Sequence, residues 1–541
     1  MSLLDLLIAV PLIGFLVLLL LPRENASLIR KLGLAIAILV FIGSLGLIGP
    51  VIGDAANYQF VTDVEWISYP NIRYHVGIDG MSLWIILLST ILTPIAMLVS
   101  WNYIDKSVKE FFAFLLLLEC GLIGVFAALD LFLFYVFWEI CLVPMYFLIG
   151  IWGHERRIYA AVKFFLYTMT GSVLMLGAII YLYNKSGTFD YINLLSMLTT
   201  GSLALNHTEQ LLLFLAFFVA FAIKVPLFPL HTWLPDAHVE APTAGSVMLA
   251  SVMLKMGTYG LVRYCLPMFP NASRENAPWI IVLAIIGIIY GALVAMVQPN
   301  MKKLVAYSSV SHLGFVVLGI FSFNQIALDG AVYQMLNHGI STGALFMLVG
   351  YLYERRHSLE IVDYGGVATP APWLASVFLF TTLASIGLPT LNNFVGEYLV
   401  LQGAAQVNFQ WAVFAAIGVI LSACYMLWLY QRTFLGRVPG APEPETDVHG
   451  HGGHAAHDHA SSGGHGAEEH GHGFAMPDLN AREWAAMVPL LVLMVWMGMA
   501  AQSFLPSIGA SNARTLEIGQ KNVEYQVKTS PEKPREAVHA D

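Results

Sequence analysis

Runs of about twenty apolar residues, separated by short polar turns, recur along almost the whole chain. A helix needs roughly 20 such residues to cross ~30 Å of hydrocarbon, so each run predicts a transmembrane helix. Fourteen spans are expected, near 3–21, 33–53, 82–101, 111–129, 131–150, 161–183, 209–234, 241–264, 279–297, 303–322, 327–352, 372–402, 411–431 and 485–505. Internal Pro and Gly predict breaks in 209–234, 241–264 and 372–402. The first run begins at Leu3 with no basic flank and no small-residue cleavage site. It reads as a retained helix rather than a signal peptide. The expected fold is all-α and membrane-integral. Its expected parts are an N-terminal three-helix segment (1–110), a first helical unit (111–264), a second (279–431), a His-rich loop (440–480), a last span (485–505) and a polar tail (506–541).

The charges in the turns orient this ladder. With the N-terminus outside, the inner loops hold Arg23, Arg30, Lys31, Lys106, Lys109, Arg156, Arg157, Lys163, Lys302, Lys303, Arg355, Arg356, Arg432, Arg437 and Arg482. The outer loops hold only Arg73, Lys185, Arg263 and Arg274. Basic residues favour the cytoplasmic side, so both termini are expected on the periplasmic face of a bacterial inner membrane. The tail after 506 reads as too short and too mixed in polarity for another span.

Composition agrees and narrows the function. Hydrophobic residues make up 57% of the 541 and charged residues 11%, against about 25% charged in soluble domains. A net charge of -9 argues against nucleic acid as a partner. Cys120, Cys141, Cys265 and Cys424 are scattered, with no CxxC pair to suggest a disulfide framework or a zinc or iron–sulfur site. No GxGxxG, Walker A or nucleophile–base arrangement stands out, so no complete active site and no cofactor site is expected in this chain. The loop histidines His449 to His472 read first as a solvated polar insert. His451, His454, His457 and His459 are the weaker candidates for a divalent metal.

The informative residues are charges inside apolar runs, each costing about 2.5–3.5 kcal/mol or more at the bilayer centre. Glu139 has no charged neighbour within the run Leu131–Tyr146. Burial favours its neutral acid and a nearby cation favours its carboxylate, the balance a proton relay needs. The structural alternative is a neutral Glu bonded to a neighbouring helix. Lys224 precedes Pro226 and Pro229, and a charge beside a helix break points to a transport site. Lys255 shares a face with Ser251 and Tyr259. Glu397 follows the break-prone pair Gly387 and Pro389. His312 follows Ser308, Ser309 and Ser311, and His338 shares a polar stripe with Gln334, Ser341 and Thr342. Histidine is the natural shuttle near neutral pH. These two are also the only plausible haem pair, but their polar neighbours fit a wet proton path better. Glu119 and His231 are weaker relay candidates. Asp236, His238 and Glu240 crowd one turn, where they load protons or cap helices.

At this point the chain resembles a known family. The stretch Lys224-Val-Pro-Leu-Phe-Pro229 followed by His231-Thr-Trp-Leu-Pro-Asp-Ala-His-Val-Glu-Ala-Pro-Thr-Ala-Gly-Ser246 is similar to the signature of antiporter-like subunits of respiratory complex I. Further matches are Phe137-Trp-Glu-Ile-Cys-Leu-Val-Pro-Met-Tyr146, Val305-Ala-Tyr-Ser-Ser-Val-Ser-His312 and Asn337-His-Gly-Ile340, within roughly 75–435. The resemblance implies two inverted five-helix repeats and a proton channel through Glu139, Lys224, Lys255, His312, His338 and Glu397. A Glu rather than a Lys at 397, and Tyr74-His-Val-Gly-Ile-Asp-Gly-Met-Ser-Leu83, resemble the M-type branch of the family. It implies FMN, iron–sulfur clusters and quinone in partner subunits, and neighbouring antiporter-like subunits as partners within the bilayer. The alternatives are a subunit of a multisubunit Na⁺/H⁺ antiporter, a subunit of a membrane-bound hydrogenase-type complex, or a membrane scaffold that carries no ions.

Overall fold

The computed structural model describes residues 2–436 and 476–529, with side chains as far as residue 520. His451, His454, His457 and His459 lie outside the described residues. Lipid offers no partner to backbone polar groups, so each apolar run closes its own hydrogen bonds as a helix. Short polar side chains fix where the helices start. Asp79 accepts from the Ser82 N–H at 3.0 Å, and Asp130 from Phe132 and Leu133 at 2.9 Å. Asn206 with Glu209, and Asn480 with Glu483, form reciprocal capping boxes.

Helices α1 (Leu3–Leu20), α2 (Ala26–Leu45) and the short α3 (Ile48–Gly53) are followed by a hairpin, β1 (Gln59–Ile67) and β2 (Ile72–Ile78). Then come α4 (Gly80–Val99), α5 (Val108–Ala127), α6 (Leu131–Trp152), α7 (Arg157–Ser186), the short α8 (Tyr191–Thr200), α9 (His207–Lys224) and α10 (Trp233–Glu240). The second half contains α11 (Thr243–Met268), α12 (Pro270–Met296), α13 (Met301–Phe321), α14 (Gln325–Arg356), α15 (Pro372–Ser385), α16 (Asn392–Val407), α17 (Phe409–Phe434), α18 (Ala481–Met499) and α19 (Leu505–Thr529). Among the described residues, thirteen helices are long and apolar enough to cross a membrane. The broken pair α15 and α16 supplies the remaining crossing of the expected fourteen.

Two of the three expected breaks are present, after Lys224 and between Ser385 and Asn392. The third is not. Residues 241–264 lie in α11, which continues to Met268 with two π-helical stretches, Leu249–Met253 and Leu261–Cys265. Pro242 and Pro267 stand near its ends, where a missing N–H does least damage. Nor is the segment after 505 merely a tail. As α19 it packs on α14, α4, α8 and the end of α11.

Helix α11 is buried along its whole length, α14 along its central turns and α13 nearly throughout, while α1, α2, α7, α12, α17 and α18 turn apolar side chains outward. Two short backbone ties recur. Leu131 and Tyr191 bond across to Phe189 and Leu129, and Met301 and Ile361 bond across to Leu359 and Pro299. The bridged pairs are Asp130 with Asp190 and Asn300 with Glu360.

Close packing holds α11 against the break in α9. A Cβ on Gly257 would stand 2.7 Å from the Phe221 carbonyl and 2.9 Å from the Val225 nitrogen. Gly257→Ala is therefore expected to destabilise by about 1–3 kcal/mol, the usual cost of overpacking. Gly177 has no such neighbour within 4 Å, so Gly177→Ala should stay within about 0.5 kcal/mol of the parent. Thermal unfolding of the two variants in detergent checks this, and matching midpoints would rule out the tight seat.

Candidate functional site

The site begins where α9 stops. Pro226 and Pro229 cannot donate, so the chain turns out of the helix directly after Lys224. Leu227 N–H reaches back to the Ala222 carbonyl at 2.7 Å, which leaves the Ile223 carbonyl to accept from the Trp233 indole at 2.9 Å. Lys224 is 1% exposed. Its ammonium lies 5.6 Å from the ring centre of Trp138 on α6 and 5.2 Å from that of Phe164 on α7, a cation–π seat. Among the described residues no carboxylate oxygen stands within 4 Å of it. Glu139, next to Trp138, is half-buried, and its Oε1 is enclosed without a partner. The Glu139–Lys224 ion pair is open in this structure.

Lys255 lies two residues beyond the first π stretch of α11 and is fully buried. A π turn shifts backbone pairing from i−4 to i−5 and marks functional sites in many helices. Here the Ala250 carbonyl accepts from Lys255 Nζ at 2.6 Å. The same ammonium lies 2.8 Å from Nδ1 of His338 on α14. His338 Nε2 and the Ser251 hydroxyl are buried without partners. Gly339 and Gly343 let α14 approach this closely, because a Cβ there would collide with the Ser251 carbonyl and hydroxyl.

On the far side of His338 a second network begins. The rings of His338 and His312 are 6.0 Å apart, centre to centre. His312 Nδ1 is 2.7 Å from Glu397 Oε1, and Gln334 Nε2 donates to the same oxygen at 3.0 Å. Gln334 also donates to Asn393, which donates to the Ser341 hydroxyl at 2.8 Å and to the Ala384 carbonyl at 2.9 Å. Glu397 sits on α16 just past the break, where Gly387 takes φ +77°. The six sequence-derived residues thus fall into three groups: Lys224 with Glu139 nearby, Lys255 with His338, and His312 with Glu397. The last two groups abut through the histidine rings.

The other candidates divide. Both oxygens of Glu119 and both ring nitrogens of His231 are buried without partners, and no hydrogen bond joins either residue to the six. In the crowded turn, Asp236 pairs with Lys163 at 2.7 Å and Glu240 accepts from the Arg156 N–H at 2.9 Å. These two tie loops together. His238 has neither ring nitrogen bonded and stacks on Phe346 at 4.4 Å. Nearby on the loop before α7, burial and Lys302 lower His154 to about 4, which keeps it neutral near pH 7.

The sequence reading missed Arg263. Taken as an outer-loop charge, it is instead buried in the second π stretch of α11, paired with Asp79 at 2.7 Å. Its spacing of eight from Lys255, through Tyr259, was the available signal.

Residues 128–423 match the family described as NADH:quinone oxidoreductase/Mrp antiporter, TM. NADH-quinone oxidoreductase subunit M of Rickettsia prowazekii is 47% identical over 437 residues, covering 80% of this chain and 88% of the relative. NADH-ubiquinone oxidoreductase chain 4 of Marchantia polymorpha is 40% identical over 515 residues, covering 95% and 97%. Among solved structures, a chain of respiratory complex I from Thermus thermophilus with bound NADH superposes with a TM-score of 0.80 at 30% identity, covering 96% of this chain and 99% of that one. With its multi-pass helical fold and these likenesses, the chain belongs to the NADH:quinone oxidoreductase/Mrp antiporter family of transmembrane subunits.

Proposed function

We propose that this chain is the M-type proton-translocating subunit of an NADH:quinone oxidoreductase. The observation that carries the reading is the buried run from Lys255 through His338 and His312 to Glu397, flanked by two helix breaks. Relatives named as subunit M and chain 4 support the assignment. The protein acts as a translocase subunit; FMN, iron–sulfur clusters and quinone belong to partner subunits. Its partners are the neighbouring antiporter-like subunits and the lipid of a bacterial cytoplasmic membrane, with both termini on the periplasmic side. Two inverted repeats organise the relay. The Asp130–Asp190 and Asn300–Glu360 ties have equal sequence separations, and an odd number of long helices, five, separates Asp130 from Asn300, which supports an inverted arrangement.

Lys224 holds the incoming proton. When Glu139 closes on it, the pair is worth about 4 kcal/mol at 4 Å and an effective dielectric near 20, roughly a thousandfold in proton affinity. When the pair opens, the aromatic seat retains the ammonium less strongly and the proton moves toward Lys255. Lys255 gives a proton to His338 Nδ1: one N–H bond breaks and one forms. His338 then releases its Nε2 proton toward His312, and the His312–Glu397 pair passes it outward.

Three results test this. Purified with its native partners, the protein should carry flavin and iron–sulfur absorbance; an assembly lacking both and exchanging Na⁺ for H⁺ would select the antiporter alternative. Glu139→Gln should lower NADH-driven proton uptake by inverted vesicles about tenfold or more, with NADH oxidation by an artificial acceptor unchanged. Full uptake in that variant would remove Glu139 from the relay. Lys224→Ala and Lys224→Arg should both fail in the same assay, because Arg keeps the charge but does not deprotonate. An active Arg variant would show that Lys224 acts as a fixed charge.

A further inference from the structure

Helix α11 carries a second polar ladder. Lys255, Tyr259 and Arg263 stand at i, i+4 and i+8 on one face. Eight residues at 1.5 Å rise cover ~12 Å, close to the ~15 Å between the bilayer centre and its edge. The upper rungs are joined. The Tyr259 hydroxyl is 3.1 Å from Ser82 Oγ on α4, donates to the Phe126 carbonyl at 3.1 Å and accepts from Arg263 Nε at 3.1 Å, so its proton can turn from Phe126 to Ser82. Arg263 Nη2 donates to Ser82 Oγ at 3.3 Å and to Asp79 Oδ1 at 2.7 Å, so the guanidinium bridges the two side chains. Ser511 of α19 donates to the second Asp79 oxygen at 2.6 Å. Asp79 and Arg263 line a cavity of about 280 Å³ with Tyr58 and Arg514, and its rim includes the exposed Ser196 and Thr200.

We propose that Tyr259, Ser82 and Asp79 form a second proton-release route, from Lys255 to the outer surface, beside the one ending at Glu397. It rests on the relay reading of Lys255. Lys255 gives its proton to an intervening water, which gives one of its own to the Tyr259 oxygen. Tyr259 gives its hydroxyl proton to Ser82, and Ser82 gives its own to the Asp79 carboxylate, which releases it to water in the cavity. Every transfer breaks one bond to hydrogen and forms one, so only a proton is moved. Arg263 cannot join the chain, because it does not deprotonate. Its fixed positive charge beside Asp79 disfavours the protonated acid from whichever side the proton arrives, so Asp79 holds a proton only in passing.

A purely structural reading makes the same cluster a pin joining α4, α11 and α19. Tyr191→Phe separates the two. It removes the 2.6 Å bond from Tyr191 to the Arg263 carbonyl, a pin contact in the cavity wall that passes no proton along the route. In inverted vesicles holding the whole complex, Tyr259→Phe and Ser82→Ala should each about halve the protons moved per NADH oxidised, as sharing between two routes implies. Tyr191→Phe should leave that ratio at the parent value. Parent ratios in both Tyr259→Phe and Ser82→Ala would overturn the route. So would equal losses in all three variants, or failure of both route variants to assemble. Lys255→Ala is the separate control: unchanged pumping there would sink the relay itself rather than only this branch.

Discussion

No backbone donor or acceptor can be left open in hydrocarbon, and the architecture follows from how this chain handles the places where its helices lapse. At three such places among the described residues a side chain bonds a backbone carbonyl beside the lapse. The Trp233 indole meets the Ile223 carbonyl beside the α9 break. Lys255 meets the Ala250 carbonyl at the π turn of α11. Asn393 meets the Ala384 carbonyl beside the α15 break. The groups that seal the backbone also build or flank the charged line. A cost of folding in lipid has become the scaffold of the site.

Such repairs hold only away from lipid, which explains the packing. The helices bearing Lys255, His312 and His338 are the three most enclosed. Glycines at 339 and 343 bring α14 close enough to α11 for side chains to meet across them. The outer helices keep large apolar faces outward, as a bilayer solvent requires. The network is compact because its ligands are short polar groups on rigid helices, with Gln334 of α14 donating to both Glu397 and Asn393 of α16.

The spans were legible because length and hydropathy are averaged over twenty residues. The six residues of the proposed relay were legible because a titratable group within such a run is conspicuous. Two breaks were legible from internal prolines, but the third expectation failed where the prolines of α11 fell near its ends. The hairpin was readable after the fact: β-branched and aromatic residues flank Tyr69-Pro70-Asn71, with Asn71 at φ 62°. Helix α19 was not, because its buried face is Ser507, Ser511, Asn512 and Thr515 rather than an apolar stripe. The π turns left no mark in composition either. Arg263 was misread because a charge twelve ångströms or so from the bilayer centre looks, in sequence, like a charge in a loop.

The two acceptors of Lys255 differ in kind. In the proposed relay His338 changes its proton count during a transfer, whereas the Ala250 carbonyl keeps its lone pairs throughout. The lysine therefore remains anchored before and after it gives up a proton. Little rearrangement of its surroundings accompanies the step, so the barrier is set by the proton's own displacement rather than by freeing and reseating a long side chain. A mobile charge carrier is in this way held by an immobile hinge, and the π turn is what supplies it.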